Sequence, residues 1–421
     1  MLRDLLVLTV LLVGVYYCFR GPFHVLVFYI WNAYFRPETW VWNAQWLMAL
    51  KVSYVLGITA VVTTAFSKNR LRLTSHSFLI VVFLGHTLVS ALLSPKLSII
   101  WPYWVDFLKA LTITLLIPTL VNDQRKLRIL TFVMCLSLGF EGAKQGWVGM
   151  VLHPGGINNN QILFLGDNNG VAVGMLMLAP LFGALGATTR SRLVKCILYF
   201  LMIGVIYRAL STYSRGGFVS CGALAFIYWL RSKEKVRILI AIALTAAIVL
   251  PILPEAFWDR MNTITTYEEV EESSALSRFH FWEVATHMAR DNPVFGVGFN
   301  AYNYTYNQYD FSDGQYGTGR SVHSAWFGVL SELGYVGFGI YVLILLQSLR
   351  NCWAARRIAR QSSEFGELQR FAASFESSLW VFIVGGSFLP FQYNEMLWHV
   401  IGMSLALKMI ATRGESPGGL S

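Results

Sequence analysis

From Ala325 to Leu346 the chain is predominantly apolar. That run of about 22 residues is enough to cross roughly 30 Å of hydrocarbon as a helix rising about 1.5 Å per residue. Ile238 to Leu253 is uncharged and nearly as long, and its flanks complete a crossing. Backbone inside lipid must satisfy its own hydrogen bonds, so runs of this kind predict helices. With 55% hydrophobic and only 13% charged residues among 421, the chain lacks the polar residues to coat a soluble core. The expected fold is therefore all-α, a polytopic integral membrane protein. A net charge of +10 does not point to nucleic acid, because Lys and Arg sit in short clusters between apolar runs and form no single basic face. The five cysteines lie in or beside apolar segments, which implies no disulfide framework. Arg3 opens an apolar run that no small-residue cleavage site follows, so it reads as an uncleaved first span.

Basic clusters set the orientation. Lys68/Arg70/Arg72, Arg125/Lys126/Arg128, Arg190/Arg192/Lys195, Arg231/Lys233/Lys235/Arg237 and Arg350/Arg356/Arg357/Arg360 fall in every second connection. The positive-inside rule assigns these to the cytoplasm. The alternate connections, near 36–46, 94–101, 142–170, 211–216, 254–322 and 390–395, then face outward, and Trp40, Trp42, Trp46, Trp101, Trp104 and Trp147 crowd them as an interfacial belt would. Arg20-Gly21-Pro22 interrupts two short apolar stretches near the start. Counted as two spans they put the start outside; counted as one span plus an interfacial or broken segment, the preferred reading, they give about twelve spans with both ends cytoplasmic. The expected organisation is a transmembrane region over 1–253, a large outer loop over 254–322, and further spans with a cytoplasmic tail over 323–421.

A loop of about 70 residues is longer than a mere connection needs, which marks it as functional. Within it, Leu276, Phe279, Trp282, Ala285 and Met288 recur at helical spacing until Asp291-Asn292-Pro293 ends the run, predicting an amphipathic helix from Ala275 to Arg290. Arg278 shares a face with Ser274 and Trp282. Two roles fit it, gripping a ligand or a lipid headgroup. Gly296-Val297-Gly298 lacks the third glycine and the preceding strand of a dinucleotide site and reads as a tight turn. The acidic run Glu268, Glu269, Glu271, Glu272 lacks the ligand spacing of a calcium loop and reads as a solvated face. His323 is expected in the first turn of the next span, where the helix dipole disfavours imidazolium and keeps the ring a competent base; an ordinary interfacial histidine is the alternative. Glu332 lies about 13 Å further along, where a carboxylate is costly. Arg215, in Tyr213-Ser214-Arg215-Gly216-Gly217, is an outward cation against the topology bias, and the glycines are expected to let a phosphate approach. Lys144 and Arg36 are further outward candidates, while Asp106 and Lys109, three apart, are expected to neutralise each other.

These elements carry a resemblance. Ser214-Arg215-Gly216-Gly217 opens a span. Ser273-Ser274, Arg278 and Trp282 lead to Asn292-Pro293-Val294-Phe295-Gly296-Val297-Gly298, and His323-Ser324 leads to Glu332-Leu333-Gly334-Tyr335-Val336-Gly337. In order, spacing and shared side they resemble the bacterial O-antigen ligases, which share a fold with O-antigen polymerases and bacterial O-oligosaccharyltransferases. Where that family often has His-Asn, this chain has His323-Ser324. Phe35-Arg36-Pro37-Glu38-Thr39-Trp40 is similar to a ligase branch associated with exosortase systems, for which protein acceptors have been proposed. The resemblance implies a GT-C-like helical fold in the bacterial inner membrane, with a large periplasmic loop containing short helices. It also implies an undecaprenyl-diphosphate-linked glycan as donor, lipid A-core as the favoured acceptor, and inverting transfer without metal or cofactor. On this reading His323 is the base, Arg215 and Arg278 grip the diphosphate, and Lys144, Arg36, Trp282 and Glu332 are further substrate-binding residues. A polymerase or a protein O-oligosaccharyltransferase would share the donor chemistry. A transporter or flippase is the alternative of a different class, with Glu332, Lys109 and Asp106 serving a substrate pathway.

Overall fold

The computed structural model describes residues 2–42, 44–68, 73–237, 239–240, 273–361 and 365–414. Arg70, Arg72, the acidic run 268–272 and all but two residues of the expected span 238–253 lie outside the described residues. The structure is 78% helix, with no strand among the described residues. The helices are α1 (Leu2–Cys18), α2 (Pro22–Phe35), α3 (Gln45–Ala49), α4 (Val52–Ala65), α5 (Ser75–Leu93), α6 (Leu97–Leu120), α7 (Gln124–Leu152) and α8 (Asn168–Thr188). After these come α9 (Arg192–Leu210), α10 (Arg215–Arg231), α11 (Ser273–Asp291), α12 (Tyr302–Tyr309), α13 (Ala325–Ala359), α14 (Gly366–Gly385) and α15 (Glu395–Gly414). Among the described residues, six helical segments are long and apolar enough to cross a membrane: Gln45–Ala65, α5, α6, α8, α9 and α13. The others pack alongside them. Many starts are written locally: Thr74, Asp123, Asp167, Ser191, Ser214 and Ser324 each accept from the backbone N–H three residues on. That satisfies one of the N–H groups a helix start leaves open.

The basic connections gather at one end of the bundle. Arg128 donates to Thr188 O and pairs with Glu367 at 3.4 Å, Arg370 donates to Ala187 O, and Arg413 donates to Asn122 O at 3.1 Å. Buried Glu376 bridges Arg231 (2.7 Å) and Arg356 (2.8 Å) there. The alternate connections meet at the opposite, loop end: Asn158 N donates to Ser211 O (2.8 Å), Asn394 Nδ2 to Phe164 O (2.9 Å) and Ser94 Oγ to Val297 O (3.0 Å). The amino terminus departs from expectation. Asp4 accepts from Trp42 N at 3.0 Å, while Phe23 lies under Lys126 at 5.7 Å. α1 and α2 thus form an antiparallel pair that starts at the loop end, because Gly21-Pro22 reverses the chain completely where one span plus an interfacial or broken segment was expected.

The long run from Ala325 is also not continuous. Gly334 (φ +67°, ψ −174°) breaks α13 two turns in and releases the preceding carbonyls. Ser331 O accepts from Val297 N (2.9 Å), Glu332 O from Gly298 N (3.3 Å) and Ser90 Oγ (2.9 Å), and Leu333 O from His86 (2.9 Å). Tyr335 N donates back to Pro293 O at 2.8 Å. The segment 293–298 therefore lies against the break, and its glycines exist for that approach: a Cβ on Gly296 would sit 2.2 Å from the Glu332 carbonyl carbon, and one on Gly298 would sit 2.3 Å from Ser94 Oγ. An aromatic cluster underlies it, with Phe107 5.3 Å from Trp398 and 5.2 Å from Phe299. Gly296→Ala is expected to destabilise the protein by about 2 kcal/mol or more, since it adds a clash to a strained φ. Gly339→Ala, in open space on α13, should be neutral. Thermal unfolding of both variants in detergent checks this.

Candidate functional site

Three helices begin within reach of one another at the loop end. Asp167 caps α8, accepting from Gly170 N at 2.9 Å, and Ser214, the cap of α10, donates to Asn169 Oδ1 at 2.6 Å. The turn after α14 joins the third: Gly386 O accepts from Ala325 N at 2.7 Å, at the start of α13. The same turn packs on α10, where a Cβ on Gly216 would meet Phe388 Cβ at 2.7 Å, and one on Gly217 would meet Ala172 Cβ at 2.8 Å. The two glycines after Arg215 thus serve helix packing, a correction to the expectation that they open the backbone to a phosphate. Converging helix N-termini present partial positive charge in one direction, which favours an anion.

His323 stands beside this convergence. It precedes the cap Ser324 of α13 at φ +48°, so it lies just outside the helix and not in its first turn as expected. Its Nδ1 is buried with no hydrogen-bond partner among the described residues. Burial pushes the ring below the ordinary histidine value; the Arg278 charge adds to this, Asp167 opposes it, and Arg320 lowers it further. The ring is therefore biased toward the neutral form that a proton acceptor needs.

α11 delivers Arg278 and Trp282 to the same place. Trp282 Nε1 donates to Val322 O at 3.1 Å, and its ring stacks on Phe327 at 5.1 Å and 8°. It thereby grips the chain on both sides of His323. Of the expected apolar face, Ala285 and Met288 are buried and Trp282 is half-buried, but Phe279 is 60% exposed, and Phe281, Val284 and Ala289 widen the buried face. His280, on the same helix, bonds Asp310 at 2.7 Å. Burial raises the Asp310 carboxyl, yet hydrogen bonds from Ser312, His280 and Gly314 N pull it down to about 2. That carboxylate is committed to tying 310–314 onto α11.

Of the other predicted residues, Arg215 stands at the helix convergence, while Glu332, Lys144 and Arg36 lie away from it. Arg215 opens α10 and is joined to the Asp167 end of α8 through the Ser214 contact with Asn169. Glu332 is 4% exposed, below the site; it accepts from Tyr302 N and from Gln392 Nε2, each at 3.3 Å. Its carboxylate ties α12 to the turn that precedes α15. Lys144 pairs with Glu141 at 2.6 Å and lies 5.1 Å over Trp40, and with Arg36 it lines a separate cavity. Three contributors escaped the sequence reading. Asp167 was signalled by Asp-Asn-Asn-Gly ahead of an apolar run. Arg320 is exposed, lies 5.7 Å over Phe281 and acts on His323. Arg208, a charge inside an apolar run, is fully buried and holds Gln145 Oε1 (2.8 Å), Asn158 O (3.2 Å) and Asn160 O (2.5 Å), pinning the 153–167 segment.

The charges around His323 act with opposite signs, and this sets a test. Histidine NMR in detergent should show His323 titrating below 6.5. Arg278→Gln removes a cation and should move the titration up, whereas Asp167→Asn removes an anion and should move it down.

Residues 197–342 match the family model described as O-Antigen ligase, and residues 2–207 match a family of unknown function (DUF5935). The first match contains Arg208, Arg215, Arg278, Arg320, His323 and Glu332; the second contains Arg36, Lys144 and Asp167. No curated protein matches the chain. The segment 197–342 is thus similar to the O-antigen ligase and polymerase superfamily, whose members are lipid-linked glycan transferases.

Proposed function

We propose that the protein is an O-antigen ligase that moves a glycan from undecaprenyl diphosphate to an acceptor hydroxyl, with lipid A-core as the favoured acceptor, at the periplasmic face of the inner membrane. The observation that carries this reading is a neutral imidazole set beside cations and three helix N-termini. In the proposed topology about a dozen spans cross the membrane, the basic end is cytoplasmic, and the loop around 254–322 is periplasmic. The clustering of arginines at the end opposite His323 supports that orientation.

His323 takes the proton from the acceptor hydroxyl as its oxygen attacks the anomeric carbon. The bond from that carbon to the diphosphate oxygen breaks, the configuration inverts, and the diphosphate leaves with the electron pair. Arg215 and Arg278 hold the diphosphate and stabilise the charge that grows on it, a task suited to planar guanidinium forks. No divalent ion is needed in this scheme. Trp282 acts through His323 as a positioning residue, and Glu332 through the 300–302 and 392 segments.

Purified protein supplied with lipid-linked glycan and acceptor is expected to form product in excess chelator. His323→Ala should lower the rate by about a hundredfold or more, the usual scale for loss of a general base. Arg215→Lys, which keeps charge but not the fork, should cost roughly a hundredfold. Turnover that needs magnesium, or that survives His323→Ala, would overturn the assignment. Product size separates this reading from a polymerase, which would leave a ladder on the polyprenyl carrier.

A further inference from the structure

A second cavity opens at the loop end, among α2, α4, α6 and the start of α15, and no step described above uses it. Its volume is about 690 Å³, within the range of small-molecule sites. It reaches to Asp106 and Lys109 on α6, about 13 and 18 Å along that span from Leu97. Ionisable groups at such depth are costly and mark a polar, water-accessible path with a use.

The charges in this cavity cancel. It is lined by three cations, Arg36, Lys51 and Lys109, and three anions, Glu38, Asp106 and Glu395. Lys109 Nζ lies 3.2 Å from Asp106 Oδ1 and 3.6 Å from Glu395 Oε1, and Arg36 lies 3.7 Å from Glu38. Tyr54 donates to Asp106 and Tyr29 to Glu395, each at 2.9 Å. A paired carboxylate keeps acceptor lone pairs and a paired ammonium keeps donors, so the lining still offers many hydrogen bonds but no net attraction for phosphate. Tyr54, Tyr103, Phe107 and Tyr393 add aromatic faces, and Asn300 and Asn394 add amides. Flat apolar faces interleaved with two-way polar groups suit a polyhydroxylated, uncharged ligand. The cavity is linked to the His323 site through the 164–167 segment. Phe164 lines it and is held by Asn394, and Asp167, three residues on, acts on His323.

We propose that this cavity binds a neutral stretch of glycan chain, carrying sugar residues away from the cationic centre where the diphosphate sits. This inference rests on the ligase reading for its ligand, which comes from either the donor's glycan or the acceptor's oligosaccharide.

The test uses full-length protein in detergent and two variants, Asp106→Asn and Tyr103→Ala. Steady-state transfer should show KM raised about tenfold for one substrate, with kcat within about threefold, as expected for loss of a hydrogen bond to a charged group or of a stacking face. The substrate whose KM moves identifies the source. In parallel, saturation-transfer NMR should show binding of a phosphate-free oligosaccharide, released by mild acid either from the lipid-linked donor or from lipid A-core, and both variants should weaken it. If Asp106→Asn loses its monodisperse elution, Tyr103→Ala decides alone, since Tyr103 is 48% exposed and its truncation leaves the ion pairs intact. Unchanged KM for both substrates, with no oligosaccharide binding, overturns the cavity assignment while leaving the transfer reaction standing. Oligosaccharide binding in a protein that transfers nothing does the reverse.

Discussion

Carbonyls released in the middle of a span must find donors, because lipid supplies none. The break at Gly334 creates that demand, and the answer organises the loop end. Val297 N, Gly298 N, Ser90 and His86 fill it, and Tyr335 N returns a bond to Pro293. The 293–298 segment is therefore bound to the bundle as firmly as a helix would be. α11 ends where that segment begins and α12 follows it, so both inherit a fixed position. Arg278 and Trp282 reach His323 because their helix is anchored at this point.

The two ends of the bundle use charge differently. At the basic end, Glu376 neutralises Arg231 and Arg356, so clustered cations are absorbed into structure. At the loop end the cations near His323 outnumber the nearby carboxylate, Asp167, and three helix dipoles add to them. Beside that cationic centre lies a cavity whose charges cancel. A substrate that joins a diphosphate to a sugar chain has the same division.

Buried charges away from the centre hold the surfaces that face it. Arg208 secures 153–167 through two backbone carbonyls, and Asp167 at the end of that stretch acts on the histidine. Glu332 does the same for Tyr302 and Gln392. Removing either would leave backbone or side-chain groups unpaired in a medium that penalises them heavily. Their energetic role is to keep loops in register at the membrane boundary.

Hydropathy and charge spacing were enough to indicate an all-helical membrane bundle, the separation of basic from loop connections, and a helix over Ala275 to Arg290 that the structure extends to Ser273–Asp291. Those properties depend on local transfer energies and helical period, which a linear sequence records directly. The direction of α1, the break at Gly334, the exposure of Phe279 and the packing role of Gly216 and Gly217 were decided only by tertiary structure. So were the distance of Arg36 and Lys144 from His323 and the part played by Arg320. Each depends on which distant segment supplies a partner: Trp42 for Asp4, Val297 and Gly298 for the freed carbonyls, Phe388 for Gly216. Such partners are tens to hundreds of residues away, and no local pattern encodes them.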